Sequence, residues 1–204
     1  KGLLLAVTYN YTGYPMVRHA RKLVRDGALG KIRVVHVEYA QDWLAEPIEE
    51  SGQKQAGWRT DPALSGAGGC IGDIGVHAFN LAEYVAGAPV RELCADLSIM
   101  VPGRRLDDDC NILLRFDDGT EQGVPGVLHA SQIAAGDRNG LRLRVFGTEA
   151  GLDWSQETPN TLTTGFEFNV GGKAKMMEFE VRHWYSNHEG GIGGEVGMIW
   201  SATP

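Results

Sequence analysis

Between Gly66 and Gly87 the chain sets glycines at 66, 68, 69 and 72 directly before an apolar run with helical spacing. Glycines this dense let a backbone take positive φ and approach a neighbour closely. Asp73 then reads as an N-cap and helix start, and Ile74, Ala78, Leu81, Ala82 and Val85 recur along one face. Gly87 and Pro89 stop the run. A helix opened at Asp73 places Asp73 and His77 one turn apart on the same face, roughly 5–6 Å from each other. Taken singly, the first is an ordinary cap and the second an ordinary core histidine. Together they put a carboxylate and an imidazole at the mouth of a glycine turn. An imidazole in a first helical turn is kept neutral by the positive end of the dipole, as a proton acceptor must be. A carboxylate one turn back can hold a substrate hydroxyl or orient the ring.

Size and charge restrict what such a centre serves. The 204 residues, 43% of them hydrophobic, suffice for one large domain or two small ones. Nineteen basic residues against 26 acidic ones give a net charge of −7, which argues against nucleic acid or an anionic membrane as partner. No apolar run approaches the roughly 20 residues of a membrane span, and Leu3 to Val7 is too short for a signal segment. Cys70, Cys94 and Cys110 are odd in number and widely spaced, so a reducing cytoplasm is the expected setting. The chain opens at Lys1 in a strand-like run, which reads as a longer chain whose earlier portion is missing.

The order of elements expected is helical first and β later. Leu3 to Asn10 reads as a strand, Pro15 as the first position of a helix running to Val24, and Ile32 to Tyr39 as an alternating strand. Asp42 to Gln55 reads as a loop. After the central helix, strands are expected over 90–100, 110–116, 121–131, 141–146 and 151–155. Hairpin turns are expected at Asp117-Asp118-Gly119 and at Asp137-Arg138-Asn139-Gly140. Segregated helices and hairpin-linked strands imply an α+β fold, two layers with a mostly antiparallel sheet. Apolar residues at both parities, as in Ile112, Leu113 and Leu114, predict that the sheet's second face is covered by a second copy of the chain, so a homo-oligomer is expected. Residues beyond about 165 carry weak periodicity and no clear assignment.

Other motifs have plainer readings. The glycine stretch is not a dinucleotide loop, since no strand immediately precedes it and no βαβ unit follows. The chain by itself is therefore expected to bind no NAD(H). His183, His188 and Glu189 lack the fixed spacing of a metal site, and no metal is expected. Asp107-Asp108-Asp109 reads as a solvated turn.

The residues also carry a resemblance. Gly57-Trp58-Arg59-Thr60-Asp61-Pro62, then Ser65 to Gly69, then Asp73-Ile74-Gly75-Val76-His77 resemble the substrate-domain signature of the Gfo/Idh/MocA (glucose–fructose oxidoreductase, inositol dehydrogenase) family. Gly27 to Ile32, Asp108-Asp109, Phe116 to Gly119 and Val145 to Gly151 follow in the family's order, and the likeness runs from about residue 3 to 162. It implies an α+β substrate domain with a large open sheet over residues 13–165. Residues 1–12 would be the end of a preceding Rossmann domain and residues 166–204 an extension. That Rossmann domain, with its dinucleotide loop and catalytic lysine, lies outside this sequence. The resemblance implies an NAD- or NADP-dependent dehydrogenase of a sugar, cyclitol or related polyol. His77 would be its proton-transfer histidine and Asp73 the carboxylate partner. Trp58 and Arg59 would line the sugar side, and Asn10, Tyr11 and Thr12 would meet the nicotinamide. The rival readings are a non-catalytic binding or dimerisation module of the same fold, and a metal-dependent hydrolase or isomerase.

Overall fold

Alternation along β1 (Ile32–Ala40) sends Val35, Val37 and Tyr39 to one face, where each is at most 3% exposed. Among the described residues this strand lies inside a nine-stranded sheet of order β2-β3-β4-β1-β5-β6-β7-β8-β9. The computed structural model describes residues 2–170, 173–183 and 196–199, with side chains through residue 165. The further strands are β2 (Val90–Ser98), β3 (Asp109–Phe116), β4 (Val124–Ser131), β5 (Gly140–Gly147), β6 (Ala150–Ser155), β7 (Thr161–Val170), β8 (Lys173–His183) and β9 (Val196–Ile199). The last three were not apparent in the sequence.

All neighbouring pairs are antiparallel except β1 with β4. The turn at Asp117 to Gly119 does join a hairpin, β3 to β4. The one expected at Asp137 to Gly140 does not, because β1 lies between β4 and β5 and pairs with both. Side-chain bonds made by Asn139 bind that connection to the end of β1 instead. The strand expected over Leu3 to Asn10 is absent. No described strand pairs with this segment, Leu3, Leu4 and Leu5 are 85–101% exposed, and the chain enters a 3-10 turn at Asn10–Gly13.

Helices cover one face of the sheet. α1 (Pro15–Arg25) starts at its proline and buries Met16, Val17 and Ala20. Two short helices follow, α2 (Lys54–Arg59), which begins in the last two residues of the expected loop, and α3 (Pro62–Ser65) beyond it. α4 (Val76–Ala86) buries Ala78, Leu81, Ala82 and Val85 and ends at Gly87, whose φ of 70° suits a residue without Cβ. Beneath them the register aligns Val37 with Leu128 and Leu143, and Leu143 with Trp154, all at most 3% exposed. At about 1.5–3 kcal/mol per buried large apolar side chain, this row and the two helical stripes supply the main stabilisation of the two layers. The opposite face carries His36, Glu38, Arg142 and Arg144 among Leu113, Val127 and Phe146, the last three 37–63% exposed.

Candidate functional site

The glycine turn closes on an aspartate. Asp107 accepts hydrogen bonds from the backbone N–H of Gly69 (2.7 Å) and Ile71 (2.8 Å) and from the Cys70 thiol (3.2 Å). It fills the place an anion would take at a helix start. A Cβ on Gly69 would stand 1.9 Å from the Asp107 carbonyl oxygen, so the glycine serves close backbone packing. Of the four clustered glycines only Gly66 has positive φ. The acidic run is therefore not a solvated turn: Asp107 and Asp108 are 8% and 2% exposed. Asp108 caps the N–H groups of Met100 and Val101 (2.8 and 2.9 Å) and pairs with Arg104.

Asp73 is not an N-cap. Helical backbone begins at Cys70 and widens into a π-turn over Ile71–Gly75 before α4, which places Asp73 inside the helical run. Such turns insert one residue into a helix and redirect the side chains that follow. Asp73 Oδ2 accepts from Arg59 Nε at 2.9 Å and from Gln132 Nε2 at 2.8 Å. Arg59 is held in turn by Gln55 Oε1 at 2.5 Å and lies 4.2 Å from the Trp58 ring centre and 5.7 Å from that of Trp43.

His77 opens on the same cleft, a space of about 400 Å³. Its Nδ1 is buried without a hydrogen-bond partner among the described residues, so Nε2 is the nitrogen left to meet a ligand. Tyr9 and Tyr11 meet the imidazole edge-on, with ring centres at 5.7 and 5.2 Å. Burial holds the His77 pKa below its ordinary 6.5, against the weaker opposing pull of the Asp73 charge. Neutrality thus follows from burial and not from the first turn of a helix. No hydrogen bond joins Asp73 to His77 among the described residues.

Polar groups line the rest of the cleft. The Tyr39 hydroxyl donates to Asn139 Oδ1 (2.7 Å) and stands 2.5 Å from the Tyr11 hydroxyl. Burial and then the Tyr11 contact push its pKa up, so it remains a phenol. Gln41 bridges Trp43 Nε1 (3.0 Å) to Asn139 (2.9 Å). Amides, indoles and one neutral imidazole around a carboxylate paired with an arginine suit a ligand rich in hydroxyl groups. Another groove, about 500 Å³, lies on the opposite sheet face among Arg33, Arg142 and Arg144, and contains no imidazole.

The structure therefore brings together His77, Asp73, Arg59 and Tyr11, with Trp58 stacked behind Arg59. Asn10 and Thr12 do not line the cleft; the Thr12 hydroxyl donates to Tyr9 O at 2.9 Å inside the 3-10 turn. Gln132, Gln41 and Tyr39 were missed, since each comes from the end of β1 or β4 and only the parallel pairing of those strands joins them to the helix. No cluster of three His, Cys, Asp or Glu residues suited to a metal occurs among the described residues. The His183 side chain, His188 and Glu189 lie outside them. No helix among the described residues is long and apolar enough to cross a membrane.

The sequence pattern described as the GFO/IDH/MocA C-terminal domain matches residues 17–153. An oxidoreductase from Sinorhizobium meliloti is 40% identical, with a TM-score of 0.67, over 86% of this chain and 43% of its own. An inositol dehydrogenase homolog from Azotobacter vinelandii, solved with NAD+, is 32% identical with a TM-score of 0.72, over 84% of this chain and 43% of its own. A levoglucosan dehydrogenase solved with NADH and levoglucosan is 28% identical with a TM-score of 0.73, over 84% of this chain and 46% of its own. The chain spans less than half the length of the curated relatives it matches, 41% and 46%.

Proposed function

The chain belongs to the GFO/IDH/MocA C-terminal domain family, and from that premise we propose that it is the substrate domain of an NAD- or NADP-dependent dehydrogenase. Its substrate is a sugar, cyclitol or related polyol. The observation that carries this reading is the cleft itself, where a neutral His77 and the charge-paired Asp73 share one wall. Residues 13–165 form the substrate domain, residues 1–12 lead from a dinucleotide-binding domain, and residues 166–204 extend the substrate domain. The relatives solved with NAD+ or NADH support the choice of cofactor.

The described residues fit one end of that cofactor only. The glycine turn has its anion place taken by Asp107 and cannot cradle a pyrophosphate, while Tyr9 and Tyr11 flank His77 where a nicotinamide would approach. A nicotinamide bound there would supply the hydride acceptor for the carbinol carbon. His77 Nε2 takes the hydroxyl proton, and burial of Nδ1 fixes the ring edge that is offered. Asp73 holds a neighbouring hydroxyl through its free oxygen. Trp58 and Arg59 close the sugar side, and the bridged amides orient the remaining hydroxyls. The exposed Leu113, Val127 and Phe146 on the uncovered sheet face support association of copies through that face.

The test is turnover. The full-length protein carrying this chain, supplied with NAD+ or NADP+ and a panel of uncharged cyclic polyols and sugars, should reduce the nicotinamide with at least one of them. Absence of reduction across the panel would overturn the reading.

A further inference from the structure

Asp73 meets two donors, and both bind the same oxygen. Arg59 Nε and Gln132 Nε2 lie 2.9 and 2.8 Å from Oδ2, and Oδ1 has no partner among the described residues. Oδ1 is not shut in either, and Asp73 lines the cleft. The two donors differ in their footing. Arg59 ends the six-residue α2, with its side chain 24% exposed. Gln132 directly follows β4 and is 2% exposed. Its backbone is tied on both sides, by its N–H to Asp108 O (2.9 Å) and by its carbonyl oxygen to Leu44 N–H (3.0 Å). A carboxylate only accepts, so the Gln132 amide must turn its NH2 toward Asp73. Rotation about the Asp χ2 bond is otherwise soft, with no single preferred well.

We propose that Gln132 is a positioning residue which pins Asp73 Oδ2 to the sheet and so commits Oδ1 to a substrate hydroxyl. The proposal rests on the polyol dehydrogenase reading above. With the donor in place, the free oxygen has one direction, and a ring hydroxyl next to the reacting carbinol must point along it. Without the donor, Arg59 alone holds the carboxylate from a short, partly exposed helix, and either oxygen can turn to the cleft. Gln132 therefore acts on which hydroxyl arrangement binds, and not on the proton-transfer step at His77.

The test is a double-mutant cycle in the full-length protein with NAD+ and its best cyclic polyol, using Gln132→Met, Asp73→Asn and the pair. Gln132→Met keeps length and loses the donor. It should raise KM about tenfold, the order expected for a lost hydrogen bond to a charged group, with kcat changed less than about threefold. In the Asp73→Asn background the same change should raise KM less than about twofold, since the group it positions is already altered. Should the Met variant fail to fold, Gln132→Leu, which also lacks the donor, takes its place with the same expectations. Equal factors in both backgrounds would mean a structural role and overturn the proposal. A wild-type enzyme that oxidises no polyol would overturn both the reading of function and this proposal, whereas wild-type turnover with equal factors overturns this proposal alone.

Discussion

At the scale of single residues, the account depends on an imidazole that resists protonation. Burial holds the His77 pKa below 6.5, so between that lowered value and 6.5 the unfolded chain binds more protons at this site than the folded one. The contribution to stability is complete above 6.5 and is lost as the pH falls below it. His19, also held below 6.5 by burial and by Lys22, acts in the same sense. His77→Asn removes one of these two shares. Urea midpoints at pH 7.5 and pH 5 should therefore differ less in the variant than in the wild type; an unchanged difference would mean that His77 titrates normally. For activity the sign is the same, because the proton acceptor must be neutral. Polyol oxidation by the full-length protein should stay level as the pH falls to 6.5 and decline only below it. That His77 and Asp73 line one cleft was legible in the sequence, because residues four apart in a helical run stay close together. The partners of Asp73 were not. Arg59 lies 14 positions away and Gln132 lies 59 positions away, and no sequence pattern links them.

At the scale of elements, the entry to α4 shows where local rules stop. Aspartate after glycines is a strong cap signal, yet the cap is Asp107, reaching across 38 positions to Gly69. The aspartate inside the run is freed by the π-turn to face the cleft. Asp107→Ala would leave the backbone N–H groups of Gly69 and Ile71 without their acceptor, while the Cys70 thiol keeps Ala130 O at 3.4 Å, and should cost about 2–4 kcal/mol. Thermal unfolding would read this as a lowered midpoint, with Asp107→Asn intermediate; a midpoint unchanged in the Ala variant would mean that water replaces the carboxylate. The helix α1 and strands β1 and β3 to β6 were legible because each buries one face and carries its period, whereas β2, with no buried residue, was legible only from its composition. The segment over Leu3 to Asn10 misled for the same reason. It has strand composition, but a strand exists only by pairing, and no described strand pairs with it.

At the scale of the whole molecule, one sheet face forms the core beneath α1 and α4, and the other stays open with Leu113 at 63%, Val127 at 37% and Phe146 at 39% exposure. If copies associate through this face, Leu113→Asp should shift sedimentation toward a smaller species while leaving the helical face and the cleft intact. Unchanged sedimentation would assign the contact elsewhere. The α+β layering was legible from the order of elements. The parallel placement of β1 beside β4 was not, because register across 91 positions is set by the core rows and by no turn. That pairing also brings Tyr39 and Gln41 to the cleft and Gln132 to Asp73, and makes the sheet part of the site. As proposed, His77 is the proton-transfer group of a polyol dehydrogenase. This role is tested most directly by the kcat of His77→Asn in the full-length protein with NAD+ and a cyclic polyol. A fall of about 10²–10⁴-fold with KM little changed is expected; a kcat near that of the wild type would contradict this role.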